Sequence, residues 1–207
     1  MRIRLRNSFL AVSVAIVVLA AGAPSASAGL LVKSAPDCSP QPTTQPFAPW
    51  GDTTPYNIAP GGTFESGTQA WSLSGNASVV SGNESFDIAG SGHTRSLRLA
   101  PGGTATSPVI CVGLEHPLIR FMVKDNRALL STMTVSVITE TSLGLPVEVP
   151  IGVLLPGGQW RPGPKLWIVA NLLPLLPGEH TPVQFRLRSV GFGTWNVDDF
   201  YVDPRCH

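Results

Sequence analysis

Hydrophobic and polar side chains alternate with a period of two along several stretches of the chain. Over 119–124 the odd positions are Ile, Phe and Val, while the even positions include Arg and Lys. The segments 132–137 and 183–188 alternate in the same way. Because successive side chains of a β-strand point to opposite faces of a sheet, this period predicts strands with one buried face. A long apolar period of 3.6 residues, which would indicate a helix, occurs only near the N-terminus.

Shorter apolar segments bounded by Gly, Pro and Asn turns predict further strands. They are 77–80, 85–88, 96–99, 109–112, 147–153 and 166–169. Many short strands without a long helix are typical of two packed antiparallel sheets. The sequence therefore predicts an all-β fold, a two-layer antiparallel β-sandwich, with 62–67 and 195–204 as its first and last strands.

The N-terminus has the three parts of a signal peptide. Three arginines lie within the first six residues, an apolar stretch covers 9–23, and Ala-Ser-Ala at 26–28 fits the small-x-small cleavage rule. The apolar stretch is shorter than the roughly 20 residues that span a bilayer, although an uncleaved anchor is the alternative. We therefore expect residues 1–28 to be removed and the chain to be secreted to the extracellular space.

Removal of this leader changes the charge balance. The chain has 14 basic and 13 acidic residues, and the leader holds three of the basic ones, which leaves 11 against 13 and a net charge of −2. No run of Lys or Arg remains. Nucleic acids and anionic membranes are bound through clustered positive charge. We therefore expect neither nucleic acid nor, after signal cleavage, a membrane as a partner.

The remaining 179 residues, which are 207 less the leader's 28, suit a single domain. Residues 29–55 are rich in Pro, Thr, Ser and Gln, and the prolines favour extended backbone over helix. We expect 29–55 to form an N-terminal arm that lies along the β-sandwich of 56–207. A flexible linker is the alternative for this segment.

Three cysteines remain after the leader, namely Cys38, Cys111 and Cys206. In an oxidising compartment two of them would pair and one would be left over. We favour a Cys38–Cys111 disulfide, because it would tie the arm to the strand predicted at 109–112. Cys206 is the penultimate residue, and it would then stay free or form a disulfide-linked dimer.

The sequence offers little for catalysis. It has no Gly-x-Ser-x-Gly elbow and no His-Glu-x-x-His helix, and its histidines lie in turn-like or surface segments. Two of the 13 acidic residues could meet as in a glycosidase, but their spacing does not predict it. We therefore predict no catalytic residues and no enzyme activity, with a hydrolase as the alternative.

Aromatic side chains are the first candidates for a binding surface. Trp50 and Trp160 lie beside Gly or Pro in loop-like segments. A partly exposed indole in such a position can stack on the apolar face of a sugar ring, although packing against its own loop is the alternative. Trp71 and Trp195 lie within apolar strands and are predicted to be buried.

Three arginines are the second candidates. Arg120, Arg186 and Arg188 fall on the polar faces of two predicted strands. If those strands are neighbours, the guanidinium groups form a donor-rich sheet surface that suits hydroxyls or carboxylates. We count them with the two loop tryptophans as candidate ligand-binding residues, and a solvated strand face is the alternative.

Carboxylates lie in both end segments of the predicted sandwich. Glu65 belongs to the first segment, and Asp198 and Asp199 belong to the last. Ca²⁺ binds six to eight oxygen ligands, and adjacent residues of a strand point to opposite faces, so one of the two aspartates would face such an ion. These three residues are the predicted metal ligands, and turn caps or partners of Arg are their alternative roles.

The two end segments also carry a resemblance. The matching residues are Phe64-Glu65-x-Gly67, Trp71 and Trp195-x-Val197-Asp198-Asp199-x-Tyr201-Val202-Asp203-Pro204. In these residues the chain resembles carbohydrate-binding modules of the jelly-roll, galactose-binding-like type. It is also similar to a group of secreted bacterial proteins that share Pro49-Trp50-Gly51-Asp52, Gly82-Asn83-Glu84 and Cys111-Val112-Gly113.

This resemblance implies a jelly-roll topology and a structural Ca²⁺ held by Glu65 together with Asp198 or Asp199. It also implies a non-catalytic function, the binding of extracellular or cell-wall glycan, with a polysaccharide as the partner. No other cofactor is expected. The competing class is a structural or protein-interaction protein of the cell surface that has no sugar ligand.

Overall fold

The computed structural model describes residues 42–67, 70–113, 118–140, 145–168 and 180–203. The strands within these ranges are β1 (Asn57–Ile58), β2 (Ser72–Ser74), β3 (Ala77–Ser81), β4 (Arg95–Leu99), β5 (Thr104–Thr106), β6 (Ile110–Gly113), β7 (Leu118–Asp125), β8 (Thr132–Glu140), β9 (Pro146–Leu154), β10 (Arg161–Pro162), β11 (Leu166–Trp167), β12 (His180–Val190) and β13 (Trp195–Val202). One turn of 3₁₀-helix spans Ala48–Trp50. None of the described residues forms a helix with the length and apolar character needed to cross a membrane.

The strands form two antiparallel sheets that pack as a jelly-roll sandwich. The seven-stranded sheet has the order β10-β7-β13-β4-β3, with β1 also beside β13 and β11 beside β7. The six-stranded sheet has the order β2-β5-β12-β8-β9, with β6 also beside β12. Strands that are distant in sequence, such as β4 and β13, are neighbours because the chain crosses between the sheets. The predicted all-β sandwich is confirmed.

The core lies between the sheets and is built from the alternating apolar positions. Phe121 of β7, Phe185 of β12 and Phe200 of β13 meet there, and the Phe200 ring centroid lies 5.3 Å from that of Phe121 and 5.5 Å from that of Phe185. Trp71 and Trp195 are buried, as predicted, and each indole N–H has an acceptor within 3.1 Å. Burial of such side chains stabilises the fold by roughly 1.5–3 kcal/mol each.

The two end segments of the sandwich lie side by side. β1 pairs with β13, and the N–H of Phe200 donates to the carbonyl oxygen of Gly62 at 3.0 Å. However, 62–67 is a series of turns, and the prediction of a strand there was wrong. Phe64 and Gly67 have φ values of 57° and 72°, which belong to the left-handed region and reverse the chain instead of extending it.

The segment 85–88 is also not a strand, contrary to the prediction. The carboxylate of Glu84 accepts the N–H of Phe86 at 2.5 Å and the N–H of Ile88 at 2.8 Å. A side chain that satisfies nearby backbone donors competes with a sheet ladder for them. The segment therefore bends into a loop that covers part of the outer face of the seven-stranded sheet.

The described part of the arm, 42–55, packs on the same outer face. Phe47 is fully buried there, and its ring centroid lies 5.4 Å from that of Tyr56 and 5.6 Å from that of Tyr201. This apolar group is separate from the main core. We call it the outer cluster, and it consists of Phe47, Tyr56, Leu118, Met122 and Tyr201.

Cys111 lies in β6 and is disulfide-bonded. Cys38 and Cys206 both lie outside the described residues, as does the leader, 1–28. The Cys38–Cys111 pairing, the dimer through Cys206 and the cleavage of the leader therefore stay predictions.

Candidate functional site

Two of the predicted ligand-binding residues lie on the outer face of the seven-stranded sheet. Trp50 and Trp160 are both half-buried and pack against the outer cluster. The exposed ring of Phe86 meets Trp50 edge to face, with ring centroids 5.0 Å apart. The ammonium group of Lys124 lies 4.9 Å from the centroid of the Trp160 ring, close enough for a cation–π contact. Both indoles are therefore held in place and still reach solvent.

A third tryptophan lies along the same edge of the sheet. β11 pairs with β7 and places Trp167 opposite Leu118. Its neighbour Leu166 is buried in the core, so Trp167 points outward, and it is 56% exposed. Trp160 directly precedes β10, which pairs with β7 at Val123. At about 3.3 Å per residue, Trp160 and Trp167 are therefore about 20 Å apart along β7.

We call these four side chains, Trp50, Phe86, Trp160 and Trp167, the aromatic face. Only Trp50 and Trp160 were predicted from the sequence as ligand-binding residues. The period of two could have predicted that Trp167 is exposed, because its neighbours Leu166 and Ile168 are apolar and both are buried. Phe86 had no such signal, because its position depends on the loop that the Glu84 carboxylate organises.

Arg120 lies on this side of the sandwich but is engaged in other contacts. Its Nη1 donates to Asp52 Oδ2 at 2.6 Å, and its Nε donates to the carbonyl oxygen of Gly163 at 2.9 Å. The guanidinium also lies over the Phe47 ring, 4.8 Å from the centroid. Arg120 therefore anchors the arm to β7.

Arg186 and Arg188 lie on the outer face of the six-stranded sheet. Arg186 donates to the carboxylate of Glu148 and to Oγ1 of Thr106, whereas Arg188 is exposed. The expected common face with Arg120 does not form, because β7 and β12 belong to different sheets. A ligand-binding role for these arginines stays a prediction.

A buried carboxylate with cationic partners holds the arm on the sheet. Asp52 is almost fully buried, accepts a hydrogen bond from Tyr56 Oη at 2.9 Å, and forms ion pairs of 2.6 Å with Arg120 and with Lys165. Burial alone would raise the pKa of Asp52, but hydrogen bonds from Lys165 and Thr54 outweigh it and hold that pKa well below its usual value. Burial, followed by the bond to Asp52, raises the pKa of Tyr56. Asp52 is therefore charged at neutral pH.

A second group of carboxylates, which we call the acidic cluster, consists of Glu84, Asp198 and Asp199. All three are almost completely buried. Asp198 accepts the backbone N–H of Glu84 at 3.0 Å and that of Asp199 at 2.9 Å. Burial and the neighbouring Asp199 raise the pKa of Asp198 to about 8, and burial and the charge of Glu84 raise that of Asp199 to about 7. In their ionised forms, these three carboxylates repel one another and destabilise the fold.

Asp199 occupies an irregular position in β13. The register against β7 shifts between Asp198 and Tyr201, and Asp199 has a φ of 48°. Its carboxyl group lies beside the backbone N–H of Ala89 and the carboxyl group of Glu84, and Nδ1 of His93 lies 4.0 Å from one of its oxygens. The expectation that the two aspartates face opposite sides assumed a regular strand. The bulge instead buries both beside Glu84.

Glu65, the other predicted metal ligand, joins two loops near this cluster. It accepts the N–H groups of Thr94 and Arg95, both at 2.8 Å, and its charge contributes to the raised pKa of Asp199. In the described part of the chain, no group of three His, Cys, Asp or Glu side chains is arranged to hold a metal ion. The burial of Asp198 and Asp199 beside Glu84 is nevertheless a feature that suits a cation. Glu65, Asp198 and Asp199 therefore stay predicted ligands.

No family model and no curated protein matches the chain. Among solved structures, the enzymatically active domain of tailspike protein 4 from bacteriophage CBA120 is similar at 15% identity, with a TM-score of 0.51, over 70% of this chain and 21% of the tailspike chain. The chain thus spans about a fifth of that protein. At this identity the likeness shows the fold alone.

Carbohydrate-binding modules are also among the similar structures. Xylanase 10B of Clostridium thermocellum, a CBM22-1–GH10 structure with xylohexaose, is 16% identical over 72% of this chain and 28% of its own, with a TM-score of 0.49. A CBM61 module in complex with β-1,4-galactotriose is 16% identical over 70% of this chain and 97% of its own, with a TM-score of 0.43. These modules are structures to which the chain is similar, and they belong to the class that its end segments resemble.

Proposed function

We propose that the chain is a secreted, non-catalytic binding module for extracellular or cell-wall glycan, and that the aromatic face is its contact surface. The observation that carries this proposal is the placement of Trp50, Phe86, Trp160 and Trp167 on one outer face, where each is half-buried or exposed. Several large apolar side chains left in water on one face mark an interaction site more often than a single one does.

The chemistry of an indole matches that of a sugar ring. An indole presents an apolar face and one N–H donor, while a sugar presents an apolar C–H face and hydroxyls at its rim. Lys124 adds an ammonium donor next to Trp160. The separation of about 20 Å between Trp160 and Trp167 would let an extended chain of sugars lie along the edge of β7. A polysaccharide therefore suits this face better than a single sugar.

The burial of the acidic residues supports a non-catalytic role. Glycoside hydrolysis requires two carboxyl groups that face the scissile bond. Glu84, Asp198 and Asp199 are at most 2% exposed, and Asp52 is held in ion pairs. None of these four carboxyl groups can therefore reach a sugar bound on the surface.

A structural Ca²⁺ is part of the same proposal. Asp199 would supply oxygens to it, with Asp198 and Glu84 beside it, and Glu65 would contribute from the neighbouring turn. The ion would supply positive charge that offsets the repulsion among buried carboxylates, and it would have no part in chemistry. The burial of Asp198 and Asp199 beside Glu84, which raises the pKa of both aspartates, supports this site.

The first prediction tests the aromatic face. Trp160→Ala should weaken binding to a cell-wall or plant polysaccharide by about tenfold, because it removes the indole ring that would stack on a sugar beside Lys124. Affinity would be measured by depletion of the protein onto insoluble polysaccharides and by a glycan array.

Phe192→Ala is the matched control for this variant, since Phe192 is an exposed aromatic residue in another loop. Its affinity should equal that of the wild type, and the thermal midpoint of both variants should be checked. Failure of the wild-type chain to bind any polysaccharide, or an equal loss in both variants, would rule out this function for the aromatic face.

A further inference from the structure

Large apolar side chains stand in water at the end of the sandwich where β8 begins. They come from three loops that follow β7, β9 and β12. The side chains, which we call the apolar tips, are Leu129 (87% exposed), Leu130 (83%), Phe192 (75%) and Leu155 (70%). Single exposed apolar residues are ordinary, but four on adjoining loops need a partner to explain them.

The strand register shows that these loops adjoin. β12 ends at Val190, opposite Thr132 at the start of β8, and β9 ends beside the same part of β8. A Cβ placed on Gly191 would lie 1.8 Å from the carbonyl oxygen of Leu130, so the backbones of two loops are in contact. The apolar tips therefore form one surface.

Leu130 also has an unusual backbone. Its φ is 53°, in the left-handed region that residues with bulky side chains rarely adopt. Its side chain is almost fully in water, so it adds little packing to the fold that would offset this strain. An observed outlier of this kind favours a role for the side chain outside the folded domain.

The charges around the apolar tips are positive. The loops 126–131, 155–160 and 191–194 contain no acidic residue. Arg127 is exposed in the first loop. Arg188 is exposed in β12, two residues before that strand ends at Val190 and the third loop begins. The nearest buried acid in these strands, Asp125, is already bound to the backbone N–H groups of 127, 157 and 158.

We propose that the apolar tips insert into the interface of an anionic lipid surface, with Arg127 and Arg188 meeting the headgroups. The tips protrude from loop ends, and a fluid acyl layer accepts protruding side chains without a complementary groove. The positive rim is complementary to anionic headgroups. The sequence predicted no membrane contact, because it has no run of Lys or Arg. The fold nevertheless brings three distant segments together into this surface.

The second prediction tests this surface. The chain starting at Gly29, which lacks the apolar leader, would be sedimented with vesicles of phosphatidylcholine alone and with vesicles of phosphatidylcholine and phosphatidylglycerol in equal parts. We expect binding to the anionic vesicles, and a loss of about tenfold or more in Leu129→Ser/Leu130→Asn, since two apolar side chains no longer leave water. Asn tolerates the left-handed backbone of Leu130, so this variant should fold.

Two further variants keep the test decisive. Phe192→Ser should lose binding as well, whereas Val109→Ser, an exposed apolar residue outside the three loops, should not. The proposal is overturned if the wild type binds neither vesicle, if Leu129→Ser/Leu130→Asn binds as well as the wild type, or if the wild type is a dimer in light scattering that the same variant dissociates. That last outcome would assign the surface to a second copy. None of these variants alters the aromatic face, so loss of glycan binding is a separate result.

Discussion

Buried carboxylates occur at two places on the outer face of the seven-stranded sheet, and their pKa values are shifted in opposite directions. Asp52 has Arg120 and Lys165 at ion-pair distance and a lowered pKa. Asp198 and Asp199 have each other and Glu84, and their pKa values are raised. A buried carboxylate with cationic partners holds a fold together at neutral pH, whereas one among other carboxylates requires a proton or a bound cation.

The third prediction concerns the ion pairs of Asp52, and its substitution has the largest expected effect. Asp52→Asn should lower the free energy of unfolding by about 3 kcal/mol, because it leaves the mostly buried Arg120 without its counterion. Lys165 is 40% exposed and adds little to this loss, since water screens it. Urea unfolding at pH 7 measures the change.

Asp87→Asn is the matched control for that substitution. Asp87 is exposed and has a φ of 50°, which Asn adopts readily, so the change should be within about 0.5 kcal/mol. Equal effects of the two substitutions would show that the Asp52 ion pairs do not hold the arm.

The fourth prediction concerns the acidic cluster and has the opposite sign. Because folding raises the pKa of Asp198 to about 8 and of Asp199 to about 7, their contribution to stability is complete below pH 4, falls progressively as pH rises from about 4 to 8, and is lost above pH 8. With a chelator present, the wild type should therefore lose stability steadily between pH 5 and pH 8 and little more by pH 9. Asp199→Asn should reduce this loss and be more stable than the wild type at pH 9.

Calcium sharpens this prediction. Added Ca²⁺ should restore the stability of the wild type at pH 8 to 9, since binding to the folded state alone shifts unfolding. It should leave Asp199→Asn unchanged. A wild-type unfolding curve that does not respond to pH, to the chelator or to Ca²⁺ would contradict both the raised pKa values and the proposed ion.

The fifth prediction has the smallest expected effect and concerns an ion pair on the surface of the protein. Arg186 and Glu148 are each about one third exposed, so Glu148→Gln should cost less than about 1 kcal/mol, and the cost should shrink in high salt. Urea unfolding at low and high salt checks this. A loss of stability as large as that of Asp52→Asn would show that burial does not determine how much each ion pair contributes to stability.

The parts of the fold that were predictable are those in which a local period decides the structure. β7, β8 and β12 follow a period of two, and their apolar positions are buried as expected. Trp71 and Trp195 are in the core for the same reason. In 62–67 and 85–88 this rule failed, because positive φ angles and the Glu84 carboxylate turn the backbone.

The candidate site was less predictable, because its contacts join residues that are far apart in the chain. Arg120 and Asp52 are 68 residues apart, and Asp198 and Glu84 are 114 apart. No period or motif relates such positions, and the arginine pairing depends on which sheet each strand joins. The end segments correctly indicated that Glu65 and Asp199 lie near each other, but not the bulge that buries Asp199.

The loop that begins at Glu84 links two properties that would otherwise be independent. The Glu84 side chain fixes the amide of Phe86, and the Phe86 ring in turn abuts Trp50. The same loop is tied to the acidic cluster, because the N–H of Glu84 donates to Asp198. A substitution that disturbs the buried acids would therefore be transmitted through this loop to an aromatic ring on the surface.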